Sequence, residues 1–412
     1  MIHVCDAVMG TGKTSASIRF INEHPERKFI YITPYLDEAA RIRKGCPAAH
    51  FVEPSNKLRE YNFRKLEHTA ALIDSGENIT TTHQAFKGYS NKTLQRIKEQ
   101  GYTLIIDENV DVLEPFTIHP DDLRIAIEAG YVKENNDVYY LGNKKYSGNA
   151  LSELFMLLKS REILKVYNER EGRELFYWAL PPELMTSFVD VFVLTYMFEG
   201  QSLHHFFEIY NLDYEYIGIE RTDDGGYCFG ACPGYVPEYI THIKDKLIIL
   251  DNPRLNQVGD DYHALSMNWF KRGGDDVEQL RKNVTNYFLN ICGDIPADRR
   301  LWGSYRGSYN KIKGKGYTNA FLTFNAKATN TYKDKDCLVY VPNIFMNVNE
   351  KKFYEAHGIE VDEDAYALSI MIQWIWRSAI RDGRTVNLYI PSKRMRTLLV
   401  NWMDDISKEV DS

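Results

Sequence analysis

A glycine-rich turn near the start of the chain constrains its fold more than any other segment. The turn reads Ala7-Val8-Met9-Gly10-Thr11-Gly12-Lys13-Thr14, follows a short apolar run at residues 2–5, and precedes a helix-compatible run at residues 15–23. Glycines let the backbone pass close to an anion, and the N–H groups at the start of the following helix point toward it. A strand, such a loop and a helix in succession predict a phosphate-binding loop in an α/β domain.

The end of this loop carries the side chains that would meet a nucleotide. Lys13 is placed to reach the β- and γ-phosphates, and the hydroxyl of Thr14 is placed to ligate Mg²⁺. The alternative is a glycine turn that happens to precede Lys-Thr. The predicted nucleotide-binding residues are Met9, Gly10, Thr11, Gly12, Lys13, Thr14 and Ser15.

An acidic pair follows another apolar run. Residues 102–106 predict a buried strand, and Asp107 and Glu108 come at its end, where parallel sheets collect their ligands. Hydrolysis of a nucleotide needs an acid on the magnesium and a group that orients or deprotonates water. We therefore expect Asp107 to hold Mg²⁺ through water and Glu108 to position the attacking water.

Apolar runs alternate with helical patterns along the first half of the chain. This alternation predicts a parallel sheet covered by helices. Residues 115–178 interrupt it with a polar, turn-rich part and a helical part at 151–170, which predicts an insertion between two strands of the sheet. The predicted strands of this half are residues 2–5, 29–33, 50–52, 79–82, 104–107 and 189–195.

A second alternating region predicts a second α/β domain. A chain of 412 residues, of which 44% are hydrophobic, is long enough to bury two such cores. We expect a first domain at residues 1–215, with the insertion inside it, and a second domain at residues 216–412. The apolar runs of the second region are residues 216–219, 247–250, 320–324, 338–341 and 386–390.

Composition excludes several classes of protein. The six cysteines contain no C-x₂-C pair, so neither a disulfide framework nor a zinc module is indicated. The N-terminus has no basic region followed by an apolar one, and no run approaches the length of a membrane span. We expect a soluble cytoplasmic protein without membrane association. A net charge of −7 provides no global attraction for nucleic acid, so local charge must be considered.

In this order, the loop and the acidic pair resemble a superfamily 2 helicase, in particular the phage-encoded DEAD/DEAH-like type. The loop fits that family's A-x-x-G-x-G-K-T pattern, and Asp107-Glu108 fits its motif II, although Asn109-Val110 replaces the usual following residues. The resemblance implies two tandem RecA-like lobes with parallel sheets, ATP and Mg²⁺ as cofactors, and single-stranded nucleic acid as the partner.

Strand-end residues in the first half resemble further helicase motifs. Thr33-Pro34 resembles motif Ia, and Thr82-His83 resembles motif Ib; the resemblance implies contacts between these residues and the phosphates of a bound strand. The alternative is helix capping by the threonines. Leu194-Thr195 falls at motif III, which implies a coupling role, and residues 325–330 fall where motif V would lie.

The second half contains a glutamine and two arginines at helical spacing. Gln373, Arg377 and Arg381 lie four residues apart, which predicts one stripe of a helix at about residues 363–381. Gln373 and Arg377 fit motif VI, whereas Arg381 comes one residue late. The resemblance implies that all three act in catalysis, with Arg377 as the finger that stabilises charge on the γ-phosphate. The alternative is a pair of surface arginines on an amphipathic helix.

A basic segment with interleaved aromatic residues lies between Asp294 and Tyr317. Cations there could bind phosphates, and aromatic rings could stack on bases. The alternative is a solvated charged loop with its rings packed inward. The nucleic-acid-binding residues predicted in this segment are Arg299, Arg300, Trp302, Arg306, Lys311 and Lys313.

Taken together, the motifs indicate a nucleic-acid-stimulated ATP hydrolase that works as a helicase or translocase. DNA is favoured over RNA, in phage DNA replication or recombination, with proteins of those processes as partners in the host cytoplasm. One alternative is a DNA-packaging motor, which would need a nuclease-type cluster of acids in the second half. Another is a nucleotide-gated clamp that binds nucleic acid without unwinding it.

Overall fold

The structure is a computed structural model that describes residues 1–34, 36–135, 138–148, 151–158, 162–168, 173–326 and 331–411. Its residues form two compact units, each assembled from discontinuous segments. The first unit comprises Met1–Ala7, Gly12–Gly234 and Asn347–Val361. The second comprises Val8–Thr11, Tyr235–Met346 and Asp362–Ser412.

The described residues form strands in three sheets. In chain order they are β1 (Ile2–Asp6), β2 (Lys28–Thr33), β3 (Ile79–Thr82), β4 (Tyr102–Asp107), β5 (Leu113–Phe116), β6 (Val132–Asn135), β7 (Val138–Leu141), β8 (Glu162–Asn168), β9 (Arg173–Ala179), β10 (Val191–Thr195), β11 (Glu215–Arg221), β12 (Tyr227–Gly230), β13 (Leu247–Ile249), β14 (Arg300–Ser304), β15 (Phe321–Thr323), β16 (Cys337–Tyr340) and β17 (Val386–Tyr389).

Helices connect and cover these strands. They are α1 (Lys13–Glu23), α2 (Leu36–Gly45), α3 (Lys65–Asp74), α4 (His83–Phe86), α5 (Asn91–Gln100), α6 (Pro120–Glu128), α7 (Ser152–Leu158), α8 (Glu183–Thr186), α9 (Ser202–Ile209), α10 (Glu238–Thr241), α11 (Ile243–Lys246), α12 (Pro253–Asn256), α13 (Met267–Arg272), α14 (Asp275–Asn286), α15 (Tyr309–Ile312), α16 (Val348–Ala356), α17 (Glu363–Ile375) and α18 (Lys393–Asp411). None of the helices in the described part of the chain is long and apolar enough to cross a membrane.

Local sequence sets the ends of several helices. The Ser90 hydroxyl accepts a hydrogen bond from the Thr93 N–H at the start of α5, and Gly101 ends this helix with φ 70°. The Asp362 carboxylate caps α17 by accepting from the N–H groups of Asp364 and Ala365 at 2.9 Å. Such caps satisfy N–H groups that have no partner within the helix.

A seven-stranded sheet, ordered β12-β11-β1-β10-β4-β2-β3, forms the centre of the first unit. Its strands are parallel except for β12, which is antiparallel to β11. The central strands are apolar on both faces because helices cover both: Ile30, Ile32 and Leu104 lie in one hydrophobic cluster, and Tyr31 and Ile105 lie in the other. The predicted parallel α/β architecture is confirmed.

The first unit extends further along the chain than the predicted boundary at residue 215. The run at residues 216–219 does form a strand, but this strand, β11, pairs in parallel with β1 of the first sheet. The unit therefore continues to Gly234, and residues Asn347–Val361 also belong to it. Residues 50–52, predicted as a strand, form only a single bridge between Val52 and Ile79.

The predicted insertion is a five-stranded antiparallel sheet between β4 and β10. Its order is β5-β9-β8-β7-β6. The helix predicted at residues 151–170 is wrong in its second half, because α7 ends at Leu158 and Glu162–Asn168 forms β8. This strand pairs along its whole length with β9, and that long-range pairing overrides the local helical pattern.

The second unit contains a five-stranded parallel sheet, ordered β13-β17-β16-β14-β15. Four of its strands fall on apolar runs that the sequence predicts. The fifth, β14 (Arg300–Ser304), lies inside the segment interpreted as a basic nucleic-acid-binding region. Trp302 is wholly buried there, pairs with Phe321 and Val339, and donates a hydrogen bond from Nε1 to the Tyr317 carbonyl at 3.0 Å.

The position of Trp302 predicts a stability phenotype. We expect Trp302→Ala to lower the free energy of unfolding by about 3–5 kcal/mol, because it removes a large side chain from a closely packed interior. Chemical denaturation measures this change. Arg306→Ala, at an exposed position in the same segment, is the control and should change stability by less than about 0.5 kcal/mol. An equally small effect of both substitutions would contradict the assignment of β14.

Candidate nucleotide-binding site

The phosphate-binding loop connects β1 to α1. Gly10 and Gly12 have φ values of 89° and 90°, in the left-handed region that glycine adopts without strain. Gly12 precedes the first residue of α1, Lys13, so the first N–H groups of that helix open into the loop. The Thr11 hydroxyl donates to the Val8 carbonyl at 2.8 Å, and Lys13 Nζ donates to the Ala7 carbonyl.

The acidic pair lies beside this loop. Asp107 is the last residue of β4 and is in register with Leu194 of β10, which in turn is in register with Cys5 of β1. The Thr14 hydroxyl is 3.5 Å from Asp107 Oδ2, and the Tyr31 hydroxyl is 3.3 Å from the same oxygen. The structure thus brings together the hydroxyl and the carboxylate that the sequence assigns to Mg²⁺.

The charges at this point are poorly compensated. Burial raises the pKa of Asp107 to about 7, and the nearby carboxylates of Glu108 and Glu38 add to the rise, whereas Lys13 opposes it. Burial also lowers the pKa of Lys13. A divalent cation between Thr14 and Asp107 would favour the ionised carboxylate, and both groups offer the oxygen ligands that Mg²⁺ prefers. The residues present therefore fit this metal.

Glu108 has an unusual backbone conformation. Its φ is 65°, a region in which residues other than glycine are strained, and its N–H donates to the Leu194 carbonyl at 3.0 Å. This bond continues the ladder between β4 and β10 by one residue and holds the turn in place. Strain of this kind is often maintained at functional sites, and here it sets the position of the predicted water-orienting carboxylate.

Two residues predicted to touch nucleic acid are instead internal. Thr33 is wholly buried, and His83 is 5% exposed, with Nε2 donating to the Asp107 carbonyl at 2.9 Å. Their side chains do not lie where a bound strand could reach them, and His83 braces the acidic pair. Thr82 caps α4 by accepting from the Ala85 N–H at 3.4 Å, and Pro34 is half-buried. Capping, the alternative interpretation, is therefore correct for Thr82.

The basic segment is largely occupied with its own fold. Arg300 is buried and donates to the carbonyls of Gly316 and Ile295, so it and Trp302 are wrongly predicted as nucleic-acid contacts. Arg299 forms an ion pair with Asp336. The remaining cations predicted as contacts, Arg306, Lys311 and Lys313, are exposed, although Lys311 also donates to a backbone carbonyl.

The predicted stripe of Gln373, Arg377 and Arg381 is wrong because the helix is shorter than predicted. It ends at Ile375, whose carbonyl accepts from the Ser378 hydroxyl at 2.6 Å. Gln373 is half-buried on the helix, Arg377 lies beyond it with 7% exposure, and Arg381 is exposed on a 3₁₀ turn. Residues 327–330 of the predicted motif V lie outside the described residues.

Two residues near the loop were not predicted. The Asp6 carboxylate accepts from the Met197 and Phe198 N–H groups at 2.7 and 2.9 Å, so it ties the predicted motif III turn to the residue before Ala7. An acid at the end of β1 was a signal that the sequence offered. Tyr227 packs against Gly12 so closely that an added Cβ would lie 2.4 Å from its ring, and no local pattern indicates this contact.

Comparisons with known proteins agree with this architecture. A family model described as the YonV C-terminal Rossmann-like domain matches residues 241–403. The SPbeta prophage-derived protein YonV of Bacillus subtilis strain 168 is 35% identical over 413 residues, which cover 98% of this chain and 99% of that protein.

Solved structures resemble the chain at low sequence identity. Apo XPD has a TM-score of 0.51 and 13% identity, with 98% of this chain and 95% of that chain covered. Xpd4 of S. tokodaii has a TM-score of 0.44 and 10% identity, with 97% and 94% covered. The likeness to apo XPD shows the fold and confirms the predicted tandem RecA-like architecture.

The buried charge of Asp107 predicts a gain in stability on its removal. The folded-state pKa is raised from 3.8 to about 7, so protonation stabilises the fold; this contribution is complete below about pH 4 and is lost as the pH rises through about 7. We expect Asp107→Asn to raise the free energy of unfolding of the nucleotide-free protein at pH 8, on the order of 1 kcal/mol, with a smaller difference at pH 5.

Thermal or urea unfolding at several pH values measures this effect. Asp121→Asn, at an exposed acid on α6, is the matched control and should leave the pH dependence as in the wild type. A destabilised Asp107→Asn variant at pH 8 would show that the carboxylate is better compensated than the geometry indicates.

Proposed function

The chain belongs to the YonV family, and we propose that it is an ATP- and Mg²⁺-dependent motor that moves along single-stranded nucleic acid as a helicase or translocase. The convergence of Lys13, Thr14 and Asp107 at one edge of the first sheet carries this proposal. The helicase-type fold supports it. The prophage origin of the B. subtilis relative supports a role in phage DNA replication or recombination, which favours DNA over RNA.

The chemistry follows from the positions of the side chains. The loop and the start of α1 bind the phosphates, and Lys13 moves from the Ala7 carbonyl to the β- and γ-phosphates. Thr14 and Asp107 hold Mg²⁺, which supplies electrostatic stabilisation of the transferred phosphoryl group. Glu108, held at its strained turn, orients the attacking water.

Hydrogen bonds connect this site to the surrounding elements. His83 links the Asp107 carbonyl to the start of α4, and Asp6 links the residue before Ala7 to the turn after β10. A change in the position of the acidic pair on hydrolysis therefore reaches two further segments of the first unit. Motion of such segments is how a nucleotide cycle can alter the grip on nucleic acid.

The packaging-motor alternative finds less support. It requires a nuclease-type cluster of acids in the second half of the chain. Among the described residues, the group of three or more side chains with metal-binding geometry is His204, His205 and Glu208, which lies in the first unit. The clamp alternative uses the same nucleotide site and differs only in whether hydrolysis drives movement.

Steady-state ATP hydrolysis with and without single-stranded DNA or RNA tests the proposal. We expect nucleic acid to stimulate the wild type, and Lys13→Ala and Glu108→Gln to lower the stimulated rate by about a hundredfold or more. Asp121→Asn should behave as the wild type. Unstimulated turnover, or full activity of Lys13→Ala, would overturn the proposal. A strand-displacement assay on the same samples separates a motor from a clamp.

The predicted arginine finger has its own test. We expect Arg377→Ala to abolish stimulated hydrolysis, because an arginine that stabilises the transition state contributes on the order of 10³-fold. The exposed Arg381 serves as the internal comparison, and Arg381→Ala should retain most activity. Thermal unfolding of both variants confirms that they fold. If Arg381→Ala is the inactive variant, the assignment of the two arginines is reversed.

A further inference from the structure

A short basic loop in the first unit displays an exposed aromatic ring. Residues 55–66, here termed the Phe63 loop, lie between the Val52 bridge and α3. They contain four basic residues and one acid in a chain whose net charge is −7. Phe63 is 59% exposed, and Leu66 is 42% exposed. The basic residues are Lys57, Arg59, Arg64 and Lys65.

The backbone at the tip of this loop is strained. Asn62 and Phe63 have φ values of 51° and 56°, in the left-handed region. Asparagine tolerates this region, but a bulky residue such as phenylalanine does so at a cost. The strain places a phenyl ring in solvent, where it contributes nothing to the core. Strained residues that persist without a packing benefit are found mainly at functional sites.

Hydrogen bonds hold the loop in this conformation. The Phe63 N–H donates to the Leu58 carbonyl at 3.1 Å, and Asn62 Nδ2 donates to Glu67 Oε2 at 2.8 Å. The Tyr61 ring stacks on His68, with centroids 4.6 Å apart, and His68 Nδ1 accepts from the Ser55 N–H at 2.9 Å. The exposed ring is therefore presented by an organised turn.

The loop lies toward the edge of the sheet that carries the nucleotide site. Val52 pairs in parallel with Ile79, the first residue of β3, so the chain then runs in the direction of β3. The helix α3 returns the chain to the start of that strand. Leu66 packs against Gly88, just after α4, where an added Cβ would meet it at 2.8 Å. In parallel sheets this carboxyl edge is where ligands bind.

We propose that the Phe63 loop is a contact site for single-stranded nucleic acid, with Phe63 stacking on a base and the surrounding cations binding the backbone phosphates. This inference rests on the proposed function. Stacking on an aromatic ring and cations along a strand are the two features of binding without sequence preference. The loop supplies both, whereas the segment at residues 299–313 buries its tryptophan.

Fluorescence anisotropy of labelled dT₂₀ and rU₂₀ oligonucleotides with the full chain tests the stacking contact. We expect Phe63→Ala to weaken binding about tenfold and Phe63→Tyr to retain it, because a base loses its stacking surface only in the first variant. Val189→Ala is the matched control, since Val189 is 56% exposed just before β10, at the opposite edge of the sheet. Hydrolysis of ATP without nucleic acid should be unchanged in all three.

Salt dependence separates the cations from the ring. Replacing Lys57 and Arg59 by glutamine should lower the slope of log affinity against log salt by roughly 1.4, that is, about 0.7 for each phosphate contact on a single strand. Phe63→Ala should leave the slope as in the wild type. Unchanged binding by Phe63→Ala, with stimulated hydrolysis intact in the wild type, overturns this inference alone. A wild-type chain that binds neither oligonucleotide overturns the proposed function as well.

Discussion

The parallel pairing of β1, β10 and β4 is the constraint on which the candidate site depends. Its register aligns Cys5, Leu194 and Asp107 across three neighbouring strands. Because parallel strands end at the same edge, the loop after β1 and the acids after β4 must meet there, although about ninety residues separate them in sequence. The insertion between β4 and β10 leaves this alignment intact because it forms an antiparallel sheet of its own.

Burial of charge at this edge connects stability with chemistry. Asp107 and Glu108 lie close together, with only Lys13 to oppose them among the groups that lower the pKa of Asp107 by charge. An isolated domain gains nothing from such an arrangement, since desolvation disfavours ionised carboxylates. The arrangement becomes favourable when phosphates and a divalent cation complete the set of charges. The same reasoning explains why the strained turn at Glu108 is tolerated.

Sequence and structure agree where the signal is local and disagree where it depends on distant partners. The glycine loop and most apolar runs form the predicted elements. The segment at Arg300–Ser304 is rich in cations and aromatic residues, which suggested a surface, yet its pairing with β15 and β16 buries it. Conversely, the exposed ring of Phe63 was not predicted, because exposure there results from two left-handed residues and a stack on His68.

The sequence by itself determined that a phosphate-binding loop and an acidic pair lie at the ends of buried strands, because glycines, a Lys-Thr pair and apolar runs act within a few residues. Tertiary structure decided the rest. It assigned β11 to the first sheet, ended α17 before Arg377, and turned His83 from a predicted nucleic-acid contact into a brace for Asp107. Burial and exposure depend on which strands pair across long stretches of chain, and no local pattern contains that information.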